Sequence, residues 1–354
     1  MSRVILLGSP GTKRAVYLEK GAAAAGVELE VLDWRDFPGC LTELARTGER
    51  IFLKIDPPRW GSCCLKELER LTREYGQNLD RLSVLGRTGR ITFLNDPAVI
   101  KALLDKRGCK RLLAKAGIPV TEEVAIGREA DGGAESPFER LLESMERERV
   151  FQVFLKPNKG SGAAGVMALR YEPGRGQMVL YTCAAKDPET GRMVNTKRLR
   201  RFGDREEIGF MAGQILAGDC IVERWYPKAE MGGYSYDLRA VVLAGEPTFI
   251  LARLSKGPIT NLQLNNHPGN IEELGLCGEV WDRVKTVCRQ AAGCFSGLGS
   301  VGIDILLEKG SLRPRVIEMN GQGDLIYQDI YGENQIYERQ GEMMRAWRDQ
   351  ERSQ

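Results

Sequence analysis

Histidine is almost absent from this chain, with a single residue, His267, among 354. Metal sites built from several histidines are therefore excluded, and a Ser-His-Asp or Cys-His nucleophile would have to use His267. This residue lies in the segment Asn-Asn-His-Pro-Gly, residues 265–269, whose composition is typical of a turn. We predict that His267 lies in a loop and is not a catalytic base.

The cysteine patterns of disulfide frameworks and zinc sites are also missing. The nine cysteines are scattered, none forms a Cys-x-x-Cys pair, and Cys63 is adjacent to Cys64. This usage is typical of reduced thiols in a cytosolic protein. No apolar run approaches the roughly 20 residues that a membrane-spanning helix needs, and the apolar run after Met1 is too short for a signal peptide. The sequence therefore predicts a cytoplasmic protein without a membrane partner.

An excess of charge of one sign is lacking as well. The chain has 51 basic and 48 acidic residues, a formal net charge of +3. The basic run at residues 197–201 is interpreted as a solvated face, because charge runs usually are. We predict no nucleic-acid partner.

The length of the chain predicts two or three lobes. A chain of 354 residues exceeds the size at which one hydrophobic core stops growing. Alternating strands and helices predict a small open α/β domain with a parallel sheet at residues 1–95. Helices follow from residue 97, with a break predicted near Gly108, and strands dominate from residue 150 onward. Residues 333–354 are predicted to form a surface helix.

Two predicted strands, 300–307 and 314–319, bring oxygen-bearing side chains to one face. Side chains repeat every two residues along a strand, so Glu318 and Asn320 share a face, and a turn at 309–311 would place Asp304 nearly opposite Glu318. Opposed carboxylates repel each other. A divalent cation would remove that cost, and hard oxygen ligands suit Mg²⁺ carried with nucleotide phosphates. The alternative is a solvated hairpin face.

A second feature is a strand that ends at Lys156 and is followed by the small-residue loop containing Gly160, Ser161 and Gly162. Such a loop can bring backbone N–H groups close to phosphates, while the lysine supplies a point charge. The alternative is a hairpin with a flexible glycine loop.

A third feature is an apolar strand that runs into Glu223, Arg224 and Trp225, followed by Asp237 and Arg239. An acidic and aromatic segment at the end of an apolar strand could hold an adenine and a ribose. The alternative is an ordinary buried strand with a polar end.

Two glycine-rich segments match nucleotide-binding motifs only in part. Residues 297–302 fit Gly-x-Gly-x-x-Gly, but they follow a predicted helix and open a strand, so we predict a helix stop and a turn. Residues 8–13 lack the P-loop spacing and predict a strand-to-helix turn, with an anion contact at the helix N-terminus as the alternative.

Taken in order, the features of residues 95–330 resemble the ATP-grasp superfamily, most closely its ribosomal-protein-glutamate-ligase and glutathione-synthetase branch. The resemblance implies a small pre-ATP-grasp domain at residues 1–95, followed by a two-lobed α+β ATP-grasp fold with mainly antiparallel sheets, whose lobes are residues 96–220 and 221–354. It implies nucleotide contacts from Lys106, Lys156, Gly160, Ser161, Gly162, Glu223, Arg224, Trp225 and Asp237, with Glu223 accepting from the adenine amino group. It implies Lys156, Arg239 and Arg253 at the reacting groups. The implied metal ligands are Asp304, Glu318 and Asn320, for Mg²⁺ or alternatively Mn²⁺.

The function implied by the resemblance is ligation. A carboxylate would attack the γ-phosphate of ATP to give an acyl phosphate and ADP, and an amine would then displace phosphate. The alternatives are a nucleotide-binding sensor or scaffold without ligase activity, and a phosphotransferase that uses His267. Residues 321–331 depart from the family pattern, so the acid and the amine, small molecules or peptides, stay open. Related ligases also suggest a homo-oligomer.

Overall fold

The computed structural model describes residues 2–39, 42, 48–127, 136–160, 162–264, 266–322 and 333–353. Ser161 and residues 323–331, which the sequence singled out, lie outside the described residues. Within the described ranges the chain forms eight α-helices and fifteen strands, and the strands fall into three sheets. None of the described helices is long and apolar enough to cross a bilayer.

The first sheet is parallel and has the order β2-β1-β3-β4, which confirms the predicted open α/β arrangement. Its strands are β1 (Ser2–Gly8), β2 (Glu30–Asp33), β3 (Arg50–Ile55) and β4 (Ile91–Phe93). The central strands β1 and β3 are apolar and buried on both faces, as parallel strands require. Helix α1 (Lys13–Ala24) packs on one face, and α2 (Leu65–Gly86) packs on the other.

The second sheet is antiparallel, with the order β8-β7-β6-β5-β9. Its strands are β5 (Gln152–Pro157), β6 (Met167–Glu172), β7 (Gln177–Lys186), β8 (Met193–Phe202) and β9 (Cys220–Arg224). Two helices that the sequence did not reveal, α5 (Pro137–Arg147) and α6 (Arg205–Leu216), cover one face. The basic run 197–201 lies on the edge strand β8, where most of its side chains are exposed, as predicted.

The third sheet is antiparallel too, with the order β13-β12-β11-β14-β15 and β10 paired with β11. Its strands are β10 (Glu230–Met231), β11 (Tyr234–Leu243), β12 (Glu246–Ser255), β13 (His267–Gly269), β14 (Ser300–Leu307) and β15 (Pro314–Asn320). Helix α7 (Gly278–Gly293) covers one face, and every residue of β14 is buried. Gly297, with a φ of +83°, lies between α7 and β14, which confirms a turn rather than a dinucleotide motif.

Two consecutive helices, α3 (Pro97–Leu104) and α4 (Lys106–Lys115), lead from the first sheet to the second. The predicted break near Gly108 falls three residues earlier, at Asp105. The reason is that the Asp105 carboxylate accepts a hydrogen bond from the Gly108 N–H at 2.9 Å and so caps α4. Lys106 thereby becomes the first residue of α4.

The C-terminal helix α8 (Gln335–Arg352) is not the surface helix that its polar composition predicts. Ile336, Tyr337 and Met344 are buried in the core shared by α1 and the first sheet. Gly21 of α1 and Gly341 of α8 allow this packing, because a Cβ atom at either glycine would clash with the backbone of the other helix. The buried residues of α8 are few compared with its polar residues, so the composition of the helix does not reveal its buried face.

His267 also differs from its prediction, because it begins the edge strand β13 instead of lying in a loop. It pairs with Leu254 of β12, and its exposed ring lies 6.5 Å from that of Tyr234. An edge strand of three residues is too short to leave a periodic signal in the sequence.

Candidate active site

A cleft of about 810 Å³ lies where the three sheets meet. The loops after β1 and β3, the loop after β5, strand β8 and the end of β15 all contribute to its lining. Predicted site residues from distant parts of the chain line it together: Gly160, Gly162, Arg239, Glu318 and Asn320. We take this cleft as the candidate active site.

The hairpin of β14 and β15 has the predicted register. Asp304 pairs directly with Glu318, and Asn320 pairs with Gly302. Residues 309–311 form the turn, with Gly310 at a φ of +86°. Directly paired residues of an antiparallel ladder point to the same face, so the three predicted oxygen ligands lie on one face of the hairpin.

The charge of Asp304 is compensated by arginines, which the sequence analysis did not foresee. One guanidinium nitrogen of Arg239 lies 2.8 Å from Asp304 Oδ1, and one of Arg253 lies 3.1 Å from Oδ2. All three side chains are buried. Repulsion between Asp304 and Glu318 is therefore already relieved by the arginines, and it does not by itself require a cation.

The hairpin still fits Mg²⁺ by the chemistry of its donors. Asp304 Oδ1 is buried and, although it lies 2.8 Å from Arg239, it makes no well-aligned hydrogen bond, so it keeps acceptor capacity. Among the described residues, no three His, Cys, Asp or Glu side chains are grouped so that they could hold a metal ion. Two carboxylates and one amide suit a magnesium ion that takes its remaining ligands from phosphates and water.

Asp237 on β11 is held by three polar groups below the hairpin. Its carboxylate contacts Arg253 Nε at 2.7 Å and Lys228 Nζ at 3.2 Å, and it accepts from Thr260 Oγ1. Burial alone would raise the pKa of Asp237, but Arg253 and Lys228 hold it well below its usual range. Burial also lowers the pKa of Lys228, with Asp237 opposing the shift. Asp237 thus fixes the orientation of Arg253.

Glu223 on β9 lies between two buried lysines. Lys156 Nζ is 2.8 Å from one carboxylate oxygen and Lys110 Nζ is 2.5 Å from the other. Thr121 Oγ1 donates to the same carboxylate at 2.8 Å. Burial would raise the pKa of Glu223, but the lysines lower it to about 2. Glu223 is 1% exposed and is the shared counter-ion of two lysines. Its predicted contact with the adenine amino group stays a prediction.

Lys110 is a site residue that the sequence analysis missed. Burial lowers its pKa to about 8, although Glu223 opposes that shift. A signal was present, because Lys110 follows Lys106 by four residues and therefore lies on the same face of α4. Lys228 was missed as well, and its burial depends on contacts with distant parts of the chain that leave no local pattern.

Lys106 connects the hairpin to the loop after β5. Its ammonium donates to the Gly160 carbonyl at 2.7 Å and lies 3.6 Å from Glu318 Oε1. Gly160 and Gly162 have φ values of +149° and +69°, which side chains bearing a Cβ rarely adopt. The glycines are therefore needed for the path of the loop along the cleft.

The side chains of Arg224 and Trp225, the two residues after Glu223, do not join the cluster of Glu223 with Lys110 and Lys156. The exposed Arg224 guanidinium lies 3.8 Å from Glu122 and stacks over the Tyr226 ring at 5.4 Å. The Trp225 ring packs on Phe154 with a centroid separation of 5.4 Å. Neither side chain is among the residues that line the cleft.

Taken together, the buried charges that the structure describes at the site do not balance. Six buried cationic side chains belong to its ion-pair network: Lys106, Lys110, Lys156, Lys228, Arg239 and Arg253, of which Arg239 is among the described residues lining the cleft. Four carboxylates contact them: Glu223, Asp237, Asp304 and Glu318. Buried charge is costly unless it is compensated, so the excess of two positive charges favours an anionic ligand.

Comparison with solved structures shows which known proteins have a similar fold. The chain is similar to D-cycloserine synthetase DcsG with a TM-score of 0.61 and 14% identity, over 97% of this chain and 99% of that one. It is similar to the ATP-grasp ligase PsnB, complexed with minimal precursor, Mg and ADP, with a TM-score of 0.55 and 16% identity over 92% of each chain. For D-alanine–D-alanine ligase from Bacillus anthracis complexed with ATP, the TM-score is 0.57 at 14% identity, over 100% of this chain and 99% of that one. No family model and no curated protein sequence matches the chain.

The chain therefore has the fold of ATP-grasp ligases, as its sequence features predict. Identities of 14–16% establish the fold alone.

Proposed function

We propose that this protein is a ligase that uses ATP with Mg²⁺ to join a carboxylate to an amine, releasing ADP and phosphate. The observation that carries the proposal is the buried excess of positive charge beside the oxygen ligands of the β14–β15 hairpin. A triphosphate would supply the missing negative charge. The likeness to solved ATP-grasp ligases supports the same activity.

The nucleotide phosphates would be held by Lys106, Lys110 and Lys156. Glu223 would orient Lys110 and Lys156 as their shared counter-ion. The loop after β5 would cover the phosphates and exclude water. The side chains of Arg224 and Trp225 pack elsewhere, and their backbone N–H groups donate to the carbonyls of Glu122 and Gln152. A contact of these two residues with the adenine would therefore use their own carbonyl groups.

Mg²⁺ would be held by Asp304, Glu318 and Asn320. When bound, it supplies positive charge that offsets the negative charge gathering on the phosphates during transfer.

Arg239 and Arg253 would hold the carboxylate of the acid substrate and the acyl phosphate formed from it. Both guanidiniums already contact a carboxylate, Asp304, and Asp237 fixes the position of Arg253. Preorganised cations of this kind stabilise charge without moving during the reaction. No protein nucleophile is required, which agrees with the position of the single histidine outside the cleft lining.

Trapping of the acyl phosphate tests this proposal. Hydroxylamine replaces the amine and converts an acyl phosphate into a stable hydroxamate. With MgATP and a mixture of carboxylic acids, we expect hydroxamate and ADP to form in equal amounts. Release of ADP without hydroxamate would show an ATPase or a phosphotransferase and would contradict the ligase assignment.

Substitution of His267 separates ligation from phosphotransfer through a phosphohistidine. Because His267 is exposed on β13 and outside the lining of the cleft, we expect His267→Gln to retain wild-type ADP release. Steady-state assays of both proteins check this expectation. A loss of activity in a variant that melts at the wild-type temperature would restore the phosphohistidine mechanism.

Lys110 predicts a pH dependence of nucleotide binding. Its pKa lies at about 8 in the structure without nucleotide, because burial opposes its charge. A bound phosphate raises the pKa of a neighbouring lysine, so ADP binding near pH 8 should take up protons, and the affinity should fall as the pH rises through 8.

Calorimetry in two buffers of different ionisation enthalpy measures this uptake. Lys110→Met should abolish it and weaken ADP binding about tenfold. Lys115→Met, at the other end of the same helix, serves as the control. Proton uptake that persists in Lys110→Met would assign the effect to another group.

A further inference from the structure

The first sheet places two loops at the cleft in the position where open parallel sheets bind ligands. In the order β2-β1-β3-β4, β2 lies on one side of β1 and the next strand along the chain, β3, lies on the other side of β1. The carboxyl ends of β1 and β3 therefore flank a topological switch point, outside which ligands of such sheets bind. Residues of both following loops line the cleft, and the Arg59 N–H donates to Ser9 Oγ between them at 3.2 Å.

The loop after β3 is also joined to the second sheet. The Asn195 N–H of β8 donates to the Cys63 carbonyl at 2.7 Å, and Cys64 forms a bridge with Val194. This contact brings the edge strand β8, including Lys197, to the same side of the cleft as the loop that carries Arg59.

Charges along this part of the cleft are predominantly positive. Of the lining residues that the structure describes, five are cationic and two are anionic. Both anions have partners inside the protein, since Asp56 pairs with buried Lys54 and Glu318 lies near Lys106. Three of the cations have interactions inside the protein as well: Arg239 contacts Asp304, and Lys13 and Arg14 are also engaged.

The other two cations, Arg59 and Lys197, are here called the basic rim. Within the part of the chain that the structure describes, no carboxylate pairs with Arg59 or Lys197. The basic rim therefore has positive charge that faces the cleft.

We propose that the basic rim binds a second anionic group of the acid substrate, so that the substrate carries at least two carboxylates. This inference rests on the proposed ligase function and adds the class of acid. The nucleotide does not require the rim, because the lysines assigned to its phosphates, Lys106, Lys110 and Lys156, belong to α4 and the second sheet. A cleft lined by one sign of charge concentrates ligands of the opposite sign. A small dicarboxylate and an acidic peptide share this chemistry.

Binding of matched probes tests the inference independently of turnover. Triglutamate and triglutamine have the same length, and glutarate and butyrate form a matched small pair. Each is titrated into the full chain with an unhydrolysable MgATP analogue, and the two anionic probes are also titrated without it. We expect triglutamate to bind at least about tenfold more tightly than triglutamine at low salt, with the difference falling as salt rises. Comparable binding of glutarate would indicate a small dicarboxylate, whereas much weaker binding would indicate a peptide.

Arg59→Gln and Lys197→Gln should each remove much of this preference while leaving ADP affinity unchanged. Arg87→Gln removes the same charge from an exposed position at the end of α2, outside the cleft lining, and should behave as wild type. Equal affinity for triglutamate and triglutamine, no binding of either, or loss of preference in Arg87→Gln would overturn the inference. Binding of triglutamate through the rim without formation of an acyl phosphate from any acid would instead overturn the ligase function and leave the rim as an anion site.

Discussion

Replacing Glu318 with glutamine is expected to lower Mg²⁺-dependent ADP release about 10²- to 10³-fold, the loss typical of removing one preorganised group at a reacting phosphate. Glutamine keeps the size of the side chain but loses the charge that would hold the cation opposite Asp304. The loss should not come from unfolding, because Glu318 is partly exposed and its ion pair among the described residues is with Lys106, at 3.6 Å.

Thermal melting separates the two causes. Without ligands, Glu318→Gln should melt at the wild-type temperature. Mg²⁺ and ADP together should stabilise the wild type, because a ligand that binds only the folded state raises its stability, and should stabilise the variant far less. Glu230→Gln removes a carboxylate from the same sheet at an exposed ion pair with Lys309 and is the control. Unchanged ADP release in Glu318→Gln would remove this residue from the site.

Lys156→Met is expected to lower kcat/KM for ATP about 10²- to 10³-fold, since it deletes a charge proposed to act on the phosphates. Methionine has nearly the same length and apolar body as lysine. The substitution leaves Glu223 with Lys110 at 2.5 Å, so the buried carboxylate keeps one cation and the hydrogen bond from Thr121. The fold should therefore survive.

Lys159→Met is the matched control for this substitution. Lys159 is exposed in the same loop, three residues after Lys156. Its replacement should leave kcat/KM within about twofold of wild type, because a solvated charge contributes little. If Lys156→Met and Lys159→Met lose activity equally, the phosphate role of Lys156 is wrong and the loop as a whole is responsible.

Features that depend on local periodicity were predictable from the sequence. The register of Asp304 with Glu318 follows from alternation along two strands and from the turn at 309–311. The parallel first sheet follows from alternating strands and helices. In both cases neighbouring residues specify the arrangement, and no distant contact is needed to infer it.

Features that depend on packing between distant segments were not predictable. The Lys110–Glu223–Lys156 cluster joins α4, β9 and β5, which only the folded chain brings together. The same is true of the buried face of α8 and of the arginines on Asp304. The division at residues 95 and 220 stays a prediction, and so do the ATP and Mg²⁺ roles of the individual residues.

The central claim is that ATP cleavage is coupled to the joining of an acid and an amine. Its most direct test is the release of ADP and phosphate by the purified chain with MgATP and mixtures of carboxylic acids, amino acids and short peptides, each component being omitted in turn. We expect equimolar ADP and phosphate, released only when Mg²⁺, an acid and an amine are all present, and lost in Asp304→Asn. Nucleotide binding without release in any mixture, or release that needs neither acid nor amine, would contradict it.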